Sequence, residues 1–395
     1  MTTMGKWQSL AILLVAEAAA MSLWFTTAAI LPDLLREVAL GPFQQSALSS
    51  GVQAGFVVGA LVSAAVGLSD RIDPRAVFGI SAIMAGLVNA SLLVVDPAGP
   101  VAIAARFATG ALLAGVYPVG MKIAVGWGQK DRGLLVSALV GVLTLGSAAP
   151  HIVAWSGGGD WRLTIAAASI AAIAGGLMCF ALALGPYHGR AQRFDIRAIG
   201  QAWTNRRVRL AYAGYLGHMW ELYAMWAWIG VMAGVSYRFT METAAAEQLA
   251  KLTAFAAIGV GAVSALPAGY FADRIGKAEV AIVAMVVSGL SALAVAATFG
   301  GPAWLTFAIV IVWGLAIIPD SAQFSALVAD AAPAEQAGSL MTFQTALGFL
   351  LTFGTVQLTP LAAALVGWPA VIAMLAAGPA FGIVAMWRLR KLMAE

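Results

Sequence analysis

The chain has 395 residues, 61% hydrophobic and 10% charged, with a mean hydropathy of +0.89. A soluble globular domain carries about 25% charged residues, so the composition excludes an ordinary soluble enzyme or binding module and points to a polytopic membrane protein. The +4 formal charge and pI near 9.3 invite a nucleic-acid reading, but the basic residues are distributed unequally between the loops of the two sides, which reads as a topology signal.

Cutting at charged or Pro/Gly-rich breaks predicts twelve helical spans. In the first half they cover 7–31, 46–68, 76–95, 101–126, 134–154 and 161–185. In the second they cover 208–234, 249–271, 278–299, 302–328, 338–359 and 365–387. Each is long enough to cross a hydrocarbon core, which takes about 20 residues. None shows the alternating segments of roughly ten residues that a transmembrane barrel requires. The expected fold class is therefore an all-α membrane protein.

The first span has Lys6 ahead of it, but it is too long for a secretory signal and ends in no small-residue cleavage site, so it reads as an uncleaved helix. It carries Glu17 within EAAAMSLW, residues 17–24. Spacings of four and seven put Glu17, Met21 and Trp24 on one face of a continuous helix. The loop after the second span reads GLSDRIDPR, with Asp70 and Arg71. The fourth span carries Arg106 near its outer end, then Gly110, Tyr117, Pro118 and Lys122. Arg106 could pair with Glu17 or bind an anion, or snorkel outward; Lys122, a turn from the cytoplasmic end, is expected to snorkel. His151, after Pro150 in the fifth span, reads as interfacial, and the single cysteine, Cys179, as a packed small residue that excludes an internal disulfide.

A basic loop at 186–207 divides the chain into halves at 1–185 and 208–395. The seventh span repeats the opening pattern: ELYAMWAW, residues 221–228, aligns Glu221, Met225 and Trp228, with His218 one turn earlier, close enough to share a proton with Glu221. The loop after the eighth span reads GYFADRIGK, with Asp273 and Arg274. The tenth span holds Pro319 followed by Asp320, a gate, cation or proton site, or the N-cap of a restarted helix. The offsets are 204 for the two glutamates, 203 for the Asp-Arg pairs and 201 for Pro118 and Pro319, so the halves read as an internal duplication.

With the N-terminus inside, sixteen Lys and Arg fall on the cytoplasmic side and four (Arg36, Arg162, Arg238 and Lys251) on the other. That asymmetry places both termini in the cytoplasm of a cell with the protein in its inner (plasma) membrane.

Twelve helices in two sixes, with Gly269, Asp273, Arg274, Gly276 and Lys277 matching G-x-x-x-D-R-x-G-[RK], resemble the major facilitator superfamily. The first copy keeps Asp70, Arg71 and Arg75 but has Asp73 and Pro74 in place of Gly-Arg, and its leading glycine comes one position late. Arg106 and Gly110 also resemble the family's R-x-x-x-G element. The resemblance implies two pseudo-symmetric bundles that rock around a central cavity lined by the first and seventh helices. It makes Asp70, Arg71, Asp273, Arg274, Pro118 and Pro319 candidates for gating.

A charge at mid-bilayer costs about 2.5–3.5 kcal/mol on insertion scales, so an intramembrane ionisable group is a functional candidate by default. Glu17, Glu221 and His218 are the proton-coupling candidates, and Arg106, Trp24, Trp228, Tyr117 and Asp320 the substrate-binding ones. No nucleotide-binding loop, metal-ligand spacing or nucleophile motif appears, so no cofactor or enzymatic activity is expected. The expected function is a secondary active transporter, proton-coupled, moving a small organic anion or zwitterion or an amphipathic drug-like compound. The alternative is a non-transporting sensor or assembly factor of the same fold that handles a lipid or pigment. The expected partners are the solute, protons and the bilayer, with no nucleic acid and a monomeric state.

Overall fold

The computed structural model describes residues 5–129, 131–188 and 195–394, without the side chains of residues 69, 70 and 334. Lys130, Arg190, Arg193 and the side chain of Asp70 therefore lie outside the described residues. Eleven of its helical segments are long and apolar enough to cross a membrane. The remaining span is the helix Arg206–Tyr237, 32 residues long, whose apolar run is diluted by His218, Glu221 and four tyrosines. The described chain divides into two compact units, Met1–Arg193 and Phe194–Glu395.

Most span limits fall within a few residues of expectation. The largest extensions are at the outer end of the first span, whose second segment continues to Glu37, and at the start of the eighth, Thr243–Ile275. Four spans are interrupted. The first consists of Lys6–Met21 and Thr26–Glu37, separated by a turn at 22–25. The fourth consists of Pro100–Leu113 and Tyr117–Val125. The tenth consists of Ala303–Ala316 and Ser321–Ala331, and the twelfth of Trp368–Leu375 and Ala377–Ala394. The second segments of the fourth and tenth spans begin 204 residues apart, so the same interruption is built into both units.

Small residues set the helix spacing, as expected where lipid gives no hydrophobic drive for helices to associate. In the first unit a side chain at Gly110 of the fourth span would run into the Val52 carbonyl of the second, Pro42–Val66. In the second unit one at Gly314 of the tenth span would run into the Ala257 carbonyl of the eighth. Gly110 and Gly314 are again 204 residues apart, and they bring equivalent helix pairs into backbone contact.

The two Asp-Arg loops close differently. In the second unit the eighth helix runs through Asp273 and Arg274 and turns at Gly276, whose φ of 105° suits glycine. Arg274 lies over the Tyr270 ring at 3.6 Å. In the first unit Gly67, at φ 65°, ends the second span early. Asp73 then caps the third span, Pro74–Ala90, by accepting from the Arg75 N–H at 2.9 Å, with Pro74 at its first position. The departure from the family pattern is thus a helix-start signal. The Arg75 guanidinium at 2.6 Å holds the Asp73 carboxyl below the usual carboxylate range.

Candidate functional site

The interruption of the first span shapes the first unit. Ending a helix at Met21 and restarting at Thr26 frees backbone carbonyls with no water in reach, and each needs a donor. Arg106 supplies it. Its side chain is fully buried; one terminal nitrogen donates to the Leu23 and Trp24 carbonyls at 3.0 and 2.8 Å. Its Nε donates to the Leu48 carbonyl at 3.1 Å and its other terminal nitrogen to Asn89 Oδ1 at 2.8 Å. Asn89 donates onward to Ser169 at 2.9 Å, and Thr27 also reaches Leu48 at 2.9 Å. This network fastens the first, second, third, fourth and sixth spans. The expected Arg106–Glu17 pair is absent, and so is the snorkelling arginine, because the planar fork fits diverging carbonyls that a point charge could not reach together.

The same interruption removes the expected stripe. Trp24 lies in the turn, off the helical face of Glu17, and packs against Phe56 with ring centroids 5.0 Å apart. Glu17 itself is fully buried, and neither carboxyl oxygen has a hydrogen-bond partner among the described residues. It is turned into its own unit, toward the third and fourth spans: a Cβ at Gly120 would collide with Glu17 Oε2, and Phe78 closes the same space. Tyr117, half-buried, opens the helical segment that contains Gly120, and Pro118 is exposed at its second position.

In the second unit the seventh helix is continuous, so Glu221, Met225 and Trp228 do share a face, and all three are buried. Trp228 donates to the Val356 carbonyl at 3.0 Å. Glu221 accepts from Trp313 Nε1 at 2.7 Å on one oxygen and from Ser288 Oγ at 2.9 Å on the other. Ser288 stands on the ninth span, Lys277–Ala297, and Trp313 on the tenth, so this carboxyl too is aimed into its own unit.

His218 has Asp320 as its observed neighbour. Its Nδ1 lies 3.0 Å from Asp320 Oδ1, both side chains being 2% exposed or less. Asp320 Oδ1 has no hydrogen-bond partner among the described residues, so the contact is close without being a hydrogen bond. Phe324 packs on the ring at a centroid distance of 5.6 Å. Asp320 occupies the N-cap position of Ser321–Ala331 but makes no capping hydrogen bond. Pro319 in the interruption prevents continuous pairing there and leaves the carboxylate free to meet the histidine.

Arg71, Asp273 and Arg274 are exposed. Beside Arg274, Lys277 pairs with Asp330 and Glu279 with Arg390 at 3.8 Å, tying the ninth span to the ends of the tenth and twelfth. His151 is buried rather than interfacial, because its helix continues to Ser156. Lys251, counted as an outer charge, is buried within the eighth span one turn from Glu247, which pairs with Arg238 at 2.7 Å. Asn89, Ser288 and Trp313 went unnoticed in the sequence because a lone polar or indole side chain in an apolar span signals nothing until its partner is known.

The sequence model described as Major Facilitator Superfamily matches residues 13–355. Among curated proteins no relative matches by sequence. Among solved structures, a crystal structure of a point mutant of the nucleoside transporter NupG is similar at a TM-score of 0.76 and 15% identity, covering 98% of this chain and 100% of that one. The xylose transporter XylE from E. coli, in a partially occluded inward-open conformation, is similar at 0.70 and 14%, covering 96% and 97%. These likenesses show the all-helical transporter fold that the twelve spans imply. With a family match over most of its length, the chain belongs to the major facilitator superfamily of membrane transporters.

Proposed function

We propose that this multi-pass membrane transporter is a proton-coupled secondary transporter of an uncharged or cationic amphipathic solute. The observation that carries the reading is a buried carboxyl in each unit, on the first and seventh spans, neither in an ion pair among the described residues. Glu17 has no partner among the described residues, and Glu221 has two neutral donors. An ionised carboxylate in such a place bears a desolvation cost that protonation removes. A conformational change that admits water reverses the preference, and that alternation is what couples a proton to transport. His218 and Asp320, 3.0 Å apart, are a further buried ionisable pair in the second unit.

The solute class follows from Arg106. The cation that favoured an organic anion or zwitterion, Arg106, is committed to four acceptors within its own unit, which removes that argument for an anionic solute. Trp24, Trp228 and Tyr117 are the aromatic surfaces assigned to the solute. Asp70, Arg71, Asp273 and Arg274 are assigned to gating, with Pro118 and Pro319 at the interrupted spans as the points that bend. The division at 1–185, 186–207 and 208–395 is taken as two rocking halves and a linker. The protein is placed in the inner membrane as a monomer with both termini cytoplasmic.

The test is flux into proteoliposomes under an imposed pH gradient, with a panel of cationic, neutral and anionic solutes. Cationic or neutral solutes should move with the gradient, and Glu17→Gln together with Glu221→Gln should abolish the pH dependence. Flux with unchanged pH dependence in the double variant would overturn the coupling, and anion-only flux would overturn the solute class.

A further inference from the structure

Resting on the proton-coupling reading, we propose that Glu221 takes its proton on Oε2, with Ser288 as the hydroxyl that serves both charge states and Trp313 as the positioning residue that reserves Oε1 as an acceptor. The two oxygens are not equivalent. Oε1 faces the Trp313 indole N–H at 2.7 Å, and an indole nitrogen donates but cannot accept. A proton on Oε1 would set two hydrogens against each other and leave one buried donor unpaired. Oε2 faces the Ser288 hydroxyl at 2.9 Å, which can do both.

Ser288 also has a second acceptor in reach, the Met285 carbonyl at 3.3 Å. With Glu221 ionised, the hydroxyl gives its hydrogen to Oε2. When a hydronium ion delivers a proton, a new O–H bond forms at Oε2, water leaves and the carboxylate becomes a neutral acid. Ser288 then turns its hydrogen to Met285 and accepts the new O–H on a lone pair. Both charge states stay hydrogen-bonded at each oxygen with only a hydroxyl rotation between them, and Ser288, Trp313 and Glu221 are all buried.

The surrounding charges leave this arrangement to decide the site. On the seventh span itself His218 is committed to Asp320 of the tenth. The ionisable groups of the other packed helices are Glu247, Lys251, Asp273 and Arg274 on the eighth, Lys277 and Glu279 on the ninth, Asp330 on the tenth, Glu335 on the eleventh, and Arg388, Arg390 and Lys391 on the twelfth; of these only Lys251 lies more than about two turns from a helix end.

The test is pH-difference infrared spectroscopy of the purified full-length protein in liposomes, which needs no substrate. The wild type should show a protonated-carboxyl C=O band that Glu221→Gln removes. Trp313→Phe should move that band to higher frequency, because the carbonyl oxygen loses its only donor, while Ser288→Ala moves it less and Ser288→Thr leaves it in place. A band insensitive to Trp313→Phe but shifted by Ser288→Ala would put the proton on Oε1 and overturn the assignment. A band set that Glu221→Gln leaves unchanged would overturn it as well. Should Trp313→Phe fail to fold, the contrast between Ser288→Ala and Ser288→Thr decides alone: a shift in the alanine variant as large as a lost carbonyl hydrogen bond refutes the proposal. Proton-driven flux in the same liposomes is read separately, so the coupling can fail while the assignment stands, and the reverse.

Discussion

Replacing Arg106 by lysine separates a clamp from a charge. The arginine makes four hydrogen bonds to three carbonyls and an amide oxygen, all inside the first unit. Interhelical hydrogen bonds in membrane proteins average about 0.6 kcal/mol, which gives a lower figure near 2 kcal/mol for four. Bonds to a charged donor run about 1.5–3 kcal/mol; the low end of that range gives a second figure of about 6. Lysine keeps the charge, but its three donors leave one atom and cannot reach the Leu48 and Asn89 acceptors together with the paired Leu23 and Trp24 carbonyls. Arg106→Lys should therefore lose most of that energy, nearly as much as Arg106→Leu. At roughly 2–4 °C per kcal/mol for a large domain, the drop in unfolding temperature is on the order of 10 °C. Thermal unfolding in detergent, followed by monodisperse elution, reads it directly. A lysine variant that unfolds with the wild type while the leucine variant falls would show that the charge matters and the fork does not, and the clamp would be refuted.

The close backbone approaches at Gly110 and Gly314 predict that Gly110→Ala and Gly314→Ala each force a helix pair apart, at about 1–3 kcal/mol, the usual cost of overpacking; equal unfolding temperatures for wild type and variants would refute it. The Asp73 carboxyl, held low by Arg75, predicts an acid-side effect: its cap is fully present above the ordinary carboxylate range and is lost as pH falls through the depressed value. Because Asp73 is 41% exposed the effect is small, and Asp73→Asn, which keeps a capping oxygen, should flatten the acid limb of a stability profile while changing neutral stability little.

Span number, span type and the duplicated loops were legible in the sequence because each rests on many residues: a twenty-residue apolar run survives any single exception. The interruption at 22–25 was not. No proline or glycine marks Ser22, Leu23, Trp24 or Phe25, and what holds the break open is Arg106, over 80 positions away. Helical spacing alone therefore puts Trp24 on the face of Glu17, and a lone membrane arginine suggests a carboxylate, an anion or snorkelling, whereas the partners of Arg106 are three main-chain carbonyls and Asn89 Oδ1. His218 was paired with Glu221 by helical spacing alone, which names a face but not the neighbour that face meets. Glu221, Met225 and Trp228 were grouped correctly because their helix has no such break.

The register of the duplication decides which residues correspond. Matching Glu-x-x-Ala-Met-x-x-Trp pairs Glu17 with Glu221 at an offset of 204. Packing gives another answer for these two helices. Ala16 abuts Gly175 of the sixth span, and Gly217 abuts Gly378 of the twelfth. Against 204 for the fourth and tenth spans, that contact puts Ala16 opposite Gly217 at an offset of 201 for these two helices. On it Glu17 corresponds to His218, and each points at the restarted segment of its interrupted fourth or tenth span. Only the second unit supplies a counter-charge there, Asp320; the first has Gly120. The two substitutions should therefore behave oppositely. Glu17→Gln removes a carboxyl with no partner to strand and should leave the unfolding temperature equal or higher. His218→Ala leaves Asp320 in a buried site without its neighbour and should cost about 1–3 kcal/mol, the usual penalty for a buried polar group that loses its partner. Adding Asp320→Asn to His218→Ala should recover part of the loss, since the stranded carboxyl is then replaced by a neutral amide. If Glu17→Gln destabilises as much as His218→Ala, then Glu17 has a partner that the register argument denies it, and the correspondence is wrong.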